Sequence, residues 1–421
     1  MKHLITLIII VCLVLPSWAQ TERLSPEKLW EMGRVSLYDV SADGKQLLYG
    51  VTYYDLAANG GSRDLYLVNT QTNESIQLTQ TPESEGAACF APTGGNQIYF
   101  LRGGKLWTMN TEDSEMEQVS NVGMNGFKIS PDGSRILYIT DVKKDPSLVD
   151  LYPDLPLADA RIMDDLMYRH WDTWEDGAYS NIFVADLDGG SLSTQPVNIM
   201  DEPYDSPVKP FGGMEQINWS YNGQAIFYTC KKIRGKEYAQ STNTDIYRYD
   251  LNSGETTNVS AQNEGYDIDP VASPDGRYLV WNSMKTPGFE ADRNRIMLHN
   301  LQSGETTELS AGWDYSANHP TFSADGQTLF FSTGVRATYH LFSIELTRGK
   351  GSKPKQLTEG IWNYNDFLVA PDALYSRRCS MSQPHEIVRI GLTERAITPV
   401  TKVNEKLLSQ LTMGKVEKRI V

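Results

Sequence analysis

Cysteine is scarce in this chain: four in 421 residues, one of them inside the first twenty. The other three, Cys89, Cys230 and Cys379, are odd in number, and no CxxC or paired Cys/His spacing occurs. That excludes a disulfide framework or a structural zinc as the organising device and reads the three as small hydrophobes. Long apolar runs are lacking too; the stretch from Leu4 to Leu15 is too short to span a bilayer. Catalytic strings are equally rare. There is no HExxH and no phosphate-cradling GxxxxGK[ST]. A GxSxG nucleophile elbow is missing as well, since GGSRD at Gly60 and GGSLS at Gly189 lack the closing glycine. Ser-x-x-Lys at a helix start, Ser25, and in a Lys-rich turn, Ser352, reads as chance. No EF-hand spacing is present, so neither a metal nor a cofactor is expected.

Positive charge is in deficit, with 38 Lys and Arg against 53 Asp and Glu and a net charge of −15. Such a surface repels nucleic acid and anionic membranes, and neither is an expected partner. The amino end reads as a signal peptide over residues 1–19. Lys2 and His3 precede the apolar run, Pro16 breaks it, and Ser17-Trp18-Ala19 supplies the small residues that cleavage after Ala19 requires. The expected location is periplasmic or secreted. Cys12 follows Val11, where a lipoprotein signal needs a small residue, so no lipid anchor is expected.

What the chain does have is a recurring phrase: an apolar strand, Ser-x-Asp-Gly, a second apolar strand. It reads YDVSADGKQLLYGV at Ser41, FKISPDGSRILYIT at Ser130 and INWSYNGQAIFYTC at Ser220. PVASPDGRYLVWNS at Ser273 and PTFSADGQTLFFST at Ser323 continue it, with decayed copies at Ala91 and Ala370. Glycine accepts positive φ and aspartate bonds back to the backbone, so each phrase is a tight hairpin. A second hairpin follows each, as in DIYRYDLNSGETTNVS from Asp245. Two hairpins per unit and seven units predict an all-β, seven-bladed propeller of four-stranded antiparallel blades over residues 34–401. No strand is left over at either end to complete a shared blade, which predicts a ring closed only by side-chain packing between blades one and seven. Ahead of it, residues 20–33 form an arm with a short helix in SPEKLWEMG, Ser25 as N-cap, Pro26 as first helical residue and Gly33 as stop. Residues 402–421 read as a linker.

One interval breaks the period. The turn phrases at Ser130 and Ser220 are 90 residues apart, and the excess lies at 141–180, inside blade three. ADARIMDDLMYRHWDTWEDG has helical periodicity: Met163, Leu166, Met167, His170, Trp171 and Trp174 share a face, and Gly177 ends it. The opposite face carries Asp164, Asp165, Arg169, Asp172 and Glu175, the candidate substrate-binding residues. Arg161–Asp165 and Asp165–Arg169 are at the spacing of helix-supporting pairs. Alternatively a carboxylate of this arm binds the free α-ammonium of a peptide.

With EKLWEMGRVS at the start, SPDG-type blades throughout, LMYRHWDTWEDG in the insertion and NEKLLSQLTMGKVEKRIV at the end, the chain resembles the prolyl oligopeptidase family of serine peptidases, in its dipeptidyl-peptidase and acylaminoacyl-peptidase branch. The resemblance implies a propeller that caps an α/β-hydrolase domain, filters peptides by size and holds their amino end, with the blade-three arm facing the interior. It implies that the catalytic residues lie in a hydrolase domain that these residues do not include, so that no peptidase activity is expected from them alone. A free-standing periplasmic binding or scaffold propeller of the TolB-like type is the alternative. A glycosidase built on the propeller's own carboxylates is a weaker third, since no carboxylate pair stands out.

Overall fold

The computed structural model describes residues 22–419 apart from 189 and 194, and the expected signal peptide falls outside these. Seven antiparallel sheets follow one another along the chain. Blade one holds Arg34–Val40, Gln46–Asp55, Gly60–Asn69 and Ser75–Gln77. Blade two runs from Glu85–Phe90 to Met116–Gln118, and blade three from Gly126–Ile129 to Val197–Asn198. Blades four and five run from Ile217–Trp219 to Thr256–Asn258 and from Asp267–Ala272 to Thr306–Glu308. Blade six runs from Asn318–Phe322 to Lys355–Gln356 and blade seven from Asn363–Val369 to Ile397–Pro399. The predicted seven-bladed propeller is the observed fold.

The turn phrase does what its chemistry requires. In five blades the serine hydroxyl donates to the Asp or Asn two residues on and accepts the N–H five residues on. Ser41 does so with Asp43 and Gln46 at 2.8 and 2.9 Å, and Ser273 with Asp275 and Tyr278 at 2.6 and 2.9 Å. Ser130, Ser220 and Ser323 repeat it. The glycine that follows lies in the left-handed region, φ +71° at Gly44 and +69° at Gly276, which a β-carbon would strain.

A four-stranded blade cannot bury both faces alone. The apolar side chains gather into seven clusters, each between two neighbouring blades. The closing cluster joins Val35, Leu47, Tyr49 and Val51 of blade one to Ala373, Tyr375 and Ile387 of blade seven. Every blade is made of consecutive strands, so neither end of the chain contributes to a blade begun by the other. The expectation of closure by side-chain packing alone needs correction, however. Outside the blades, Glu22–Arg23 pairs in parallel with Leu411–Thr412. The sequence hid this ladder because two residues per side carry no periodicity.

The helix Pro26–Glu31 forms where expected, with the Ser25 hydroxyl accepting the Lys28 N–H at 3.3 Å. It braces the ring through Trp30, whose ring meets Tyr54 edge-on at 5.0 Å. Gly33 has a different role from a helix stop: a β-carbon there would lie 2.8 Å from Val403 Cγ1 and from Val51 Cγ1. Close approach, rather than a left-handed cap, is what requires glycine.

Antiparallel order fixes which end of the ring carries what. The start of each first strand, the connection from second to third strand and the exit of each fourth strand share one rim. Both chain ends and every second-to-third insertion therefore lie on the same face.

Candidate functional site

The blade-three insertion leaves between Arg135–Lys143 and Ala178–Asp188 and returns through a narrow neck, where Gly177 O accepts the N–H groups of Lys144 (2.9 Å) and Asp145 (3.1 Å). Gly177 does end the arm, at φ +77°, with no room for a β-carbon beside Asp145. A single turn, Leu148–Leu151, opens it under a Ser147–Asp150 capping box.

The predicted amphipathic helix over ADARIMDDLMYRHWDTWEDG is not formed. Residues 158–167 run without regular structure, and Arg169–His170 pairs with Thr173–Trp174 as a two-residue hairpin. The reason is energetic. A short helix needs an apolar face to bury, yet Ile162 is 51% and Trp171 67% exposed, with Trp171 packing edge-on against Phe211 at 5.3 Å. Trp174 instead collects local partners: Tyr168 stacks on it at 6.3 Å, and Arg161 and Arg169 lie over it at 4.9 and 5.3 Å. Among the described residues neither the Arg161–Asp165 nor the Asp165–Arg169 pair forms.

The arm meets two further segments on this rim. One is the stretch 199–213 leaving blade three; the other is 231–244, between the second and third strands of blade four, with a short helix Gly235–Gln240. Together they enclose a cavity of about 620 Å³. Of the five candidates, Asp164, Asp165 and Glu175 line it, while Arg169 and Asp172 sit on the hairpin away from it. Asp165 lies against Gly235, and its carboxylate accepts the Leu166 N–H at 2.9 Å.

Most of the charge around the cavity is already matched. Asp205 accepts the Ser180 N–H at 2.8 Å and pairs with Lys209 at 3.0 Å. Burial nonetheless raises its carboxyl above the usual value. Burial works against the Lys209 ammonium, but Asp205, Asp141 and Glu175 outweigh it and raise that group. Asp145 accepts the Tyr179 hydroxyl at 2.6 Å and one Arg234 nitrogen at 3.0 Å, and burial, then Asp145, push the phenol up to about 12. The Lys231 ammonium donates to the carbonyls of Tyr238 and Ser241 at 2.7 and 2.6 Å and lies over the Tyr238 ring at 4.0 Å, pinning the short helix.

Glu175 differs. It is exposed to the cavity, and among the described residues its carboxylate makes no hydrogen bond or ion pair. Burial of its surroundings, then the nearby Asp205, raise its pKa. The Lys209 ammonium acts on this carboxylate from a distance and partly offsets that rise, without pairing with it, so its oxygens stay open to a further cation. The arrangement can bind an ammonium group. It holds no serine, cysteine or histidine poised as nucleophile and base.

Sequence reasoning missed Asp205, Lys209, Tyr179, Arg234 and Tyr238. The signal available was length: the connections at 199–213 and 231–244 exceed the usual two to six residues or so. The thiols of Cys89 and Cys230 are pushed up by burial, and the three described cysteines are unpaired.

No family model matches the chain. By sequence it is 36% identical over 404 residues to the dipeptidyl-peptidase 5 of Porphyromonas gingivalis, covering 94% of this chain and 58% of that protein. Against the Porphyromonas endodontalis protein of the same name the identity is 37% over 411 residues, covering 95% and 58%. The chain thus spans a little over half the length of these curated relatives. Among solved structures, the Pyrococcus horikoshii acylaminoacyl peptidase superposes with a TM-score of 0.70 at 14% identity, over 93% of this chain and 56% of that one. The β-propeller domain of the Trilobed protease from Pyrococcus furiosus, described as having an open velcro topology, gives 0.60 at 12% identity over 89% and 97%. At such identities these two speak for the fold.

Proposed function

The chain belongs to the dipeptidyl-peptidase branch of the prolyl oligopeptidase family, whose propeller it matches along nearly its whole length, and on that footing we propose that it admits and orients peptides for a serine exopeptidase. The hydrolysis itself would be carried out by an α/β-hydrolase domain lying outside residues 1–421, and the protein would work in the periplasm or outside the cell. The cavity between the blade-three arm and blade four receives the peptide's amino end, and Glu175 accepts its ammonium group.

The observation that carries this reading is the contrast among the carboxylates. Asp205 is bound to Lys209, and Asp145 to Arg234 and Tyr179, while Glu175 faces the cavity unpartnered among the described residues. The cavity's volume suits a segment of a few residues, and its apolar wall, including Leu148, Ile162, Met163 and Val208, suits apolar side chains. Arg234 offers its remaining nitrogens to a peptide carbonyl.

Calorimetric titration of the chain with short peptide amides, each as the free amine and as its N-acetyl form, tests this. The expected result is measurable affinity for the free amines and its loss on acetylation. Equal affinity for both forms, or none for either, refutes the assignment of the cavity to the amino end.

A further inference from the structure

The seven clusters between blades are not equal. That between blades four and five is the smallest, with four buried residues, Phe227, Ile246, Leu279 and Trp281. Beside it lies a cleft of about 520 Å³, floored by Ala225, Phe227, Val259, Ala272 and Leu301. The cleft opens among the first-to-second and third-to-fourth turns of these two blades, on the rim opposite to the one that carries Glu175. Its mouth departs from the repeat. The other four intact turns read Ser-Ala-Asp-Gly or Ser-Pro-Asp-Gly, whereas blade four reads Ser220-Tyr221-Asn222-Gly223.

The hairpin requires neither change. Asn222 Oδ1 accepts the Ser220 hydroxyl at 2.8 Å and the Gln224 N–H at 3.1 Å, as Asp43 Oδ1 accepts those of Ser41 and Lys45. What the two changes alter is the cleft. Tyr221, half exposed, lies over Gly276 of the next blade, where a β-carbon would collide with its ring, and it forms one wall. Asn222 removes the carboxylate that the repeat would place there, and with Oδ1 already used it has Nδ2 left to donate. Asn258 is in the same state, its Oδ1 accepting the Ser260 N–H at 3.1 Å. Arg248 gives one nitrogen, Nη2, to Asp250 at 2.7 Å, and His299 meets Thr306 through Nδ1 at 2.8 Å. Among the described residues Arg248 Nε and Nη1 and His299 Nε2 make no hydrogen bond.

The lining therefore offers a guanidinium, an imidazole and amide N–H groups, and it contains no Asp or Glu, in a chain of net charge −15. A sugar presents donors and acceptors in equal measure and would leave its own hydroxyl protons poorly matched here, whereas an anion calls on donors alone. One cationic group above an apolar floor suits one negative charge on an apolar body. The volume falls in the usual range for small-ligand pockets, about 300–1,000 Å³. We propose that this cleft is a second binding site, one that takes a small monocarboxylate with an apolar or aromatic body. Arg248 and the Asn222 amide donate to the carboxylate, and the body lies between Phe227 and Tyr221. The site shares no residue with the cavity assigned to the peptide's amino end, so either reading can fail without the other.

Calorimetric titration of the whole chain with 3-phenylpropionate, 3-phenylpropionamide and inorganic phosphate tests it. The carboxylate is expected to bind, the amide to bind about tenfold more weakly for want of the charge, and phosphate not to compete. Asn222→Asp returns a negative charge to the mouth and keeps the hairpin, since Asp43 and Asp275 make the same bonds in theirs. It should weaken the carboxylate by about tenfold and leave the amide unchanged, and Arg248→Gln should do likewise. Tyr221→Ala, which restores the residue of the turns at Ser41 and Ser323, should weaken both compounds alike. Thermal melts confirm that each variant is folded, and should Arg248→Gln not be, Asn222→Asp decides alone. Absence of 3-phenylpropionate binding, equal affinity for the amide, displacement by phosphate, or parental affinity in Asn222→Asp each overturns the site.

Discussion

Replacing Glu175 by Gln separates recognition from stability, because the two should move in different directions. The carboxylate is raised by burial and by Asp205. A group whose folded pKa exceeds its unfolded value holds its proton more tightly when folded, so its ionised form at neutral pH works against folding. Glutamine removes that charge at the same volume, and the unfolding midpoint should stay where it is or rise slightly. Binding should change the other way. A charge-assisted hydrogen bond to an ammonium group contributes roughly 1.5–3 kcal/mol, and the exposure of Glu175 puts it at the lower end, or about tenfold in Kd. N-acetylated peptides should be unaffected, and Asp205 keeps its pair with Lys209. In the parent, free-amine affinity should fall as pH drops through the Glu175 pKa, above the ordinary carboxylate range, and the variant should lack that fall. Calorimetry and thermal melts at neutral and mildly acidic pH read all of this. Equal weakening of both peptide forms, or a lower melting point at unchanged affinity, would refute the reasoning.

Arg102 pairs with Glu85 at 2.7 Å, where Glu85 is fully buried and also accepts the Thr79 and Thr81 hydroxyls. Arg102→Met should cost about 3–5 kcal/mol by stranding that charge, read as a lower denaturation midpoint, with most of it recovered by adding Glu85→Gln. Asp269, beside Glu215, Lys128 and His319, is raised by burial from 3.8 to about 7. The folded protein keeps a proton the unfolded chain gives up across that window, so stability should fall as pH rises through it, and Asp269→Asn should flatten the fall and raise the melting temperature at neutral pH. Gly235→Ala should cost about 1–2 kcal/mol for its left-handed backbone, φ +67°, and push Asp165 from its place. Faster proteolysis of residues 159–168 would report the displaced arm, and unchanged cleavage would count against Asp165 as its contact.

The ring was legible because its information is local. Ser273, Asp275 and Gly276 each do in the hairpin what their side chains or lack of one dictate, and the pattern repeats often enough to survive Ala91 and Ala370 in place of serine. The arm's position was legible for the same reason, as an excess over the period. Its conformation was not. Helical spacing of Met163, Leu166 and Trp174 means a buried face only if the protein body covers it, and here Met163 and Leu166 stay 42% and 39% exposed while Trp174 is covered by the arm's own Tyr168, Arg161 and Arg169. Of the residues around the cavity, Glu175 could be singled out because it lies in the excess over the period, whereas its neighbours Asp205 and Lys209 come from a connection with no periodicity to break.

Apart from the stretch 199–213, whose Tyr204 both lines the cavity and packs on the core between blades three and four, the ring and the site draw on separate parts of the chain, and that separation explains why one could be inferred and the other only bounded. Ring stability resides in the clusters between blades, none of which includes a residue of 144–177 or 231–244. The arm is joined to its blade by a neck of two backbone hydrogen bonds to Gly177, so its course has little consequence for the strands beneath it. Blade four contributes in the same way, through a short helix pinned by Lys231 rather than through its sheet. Insertions between second and third strands of adjacent blades meet because both must emerge on one rim. Antiparallel order therefore brings them together whatever their sequences are, and those sequences are free to set what the cavity holds. The same rim carries the start of the first blade and the exit of the last, so the cavity and both ends of the ring are placed on one face by topology alone.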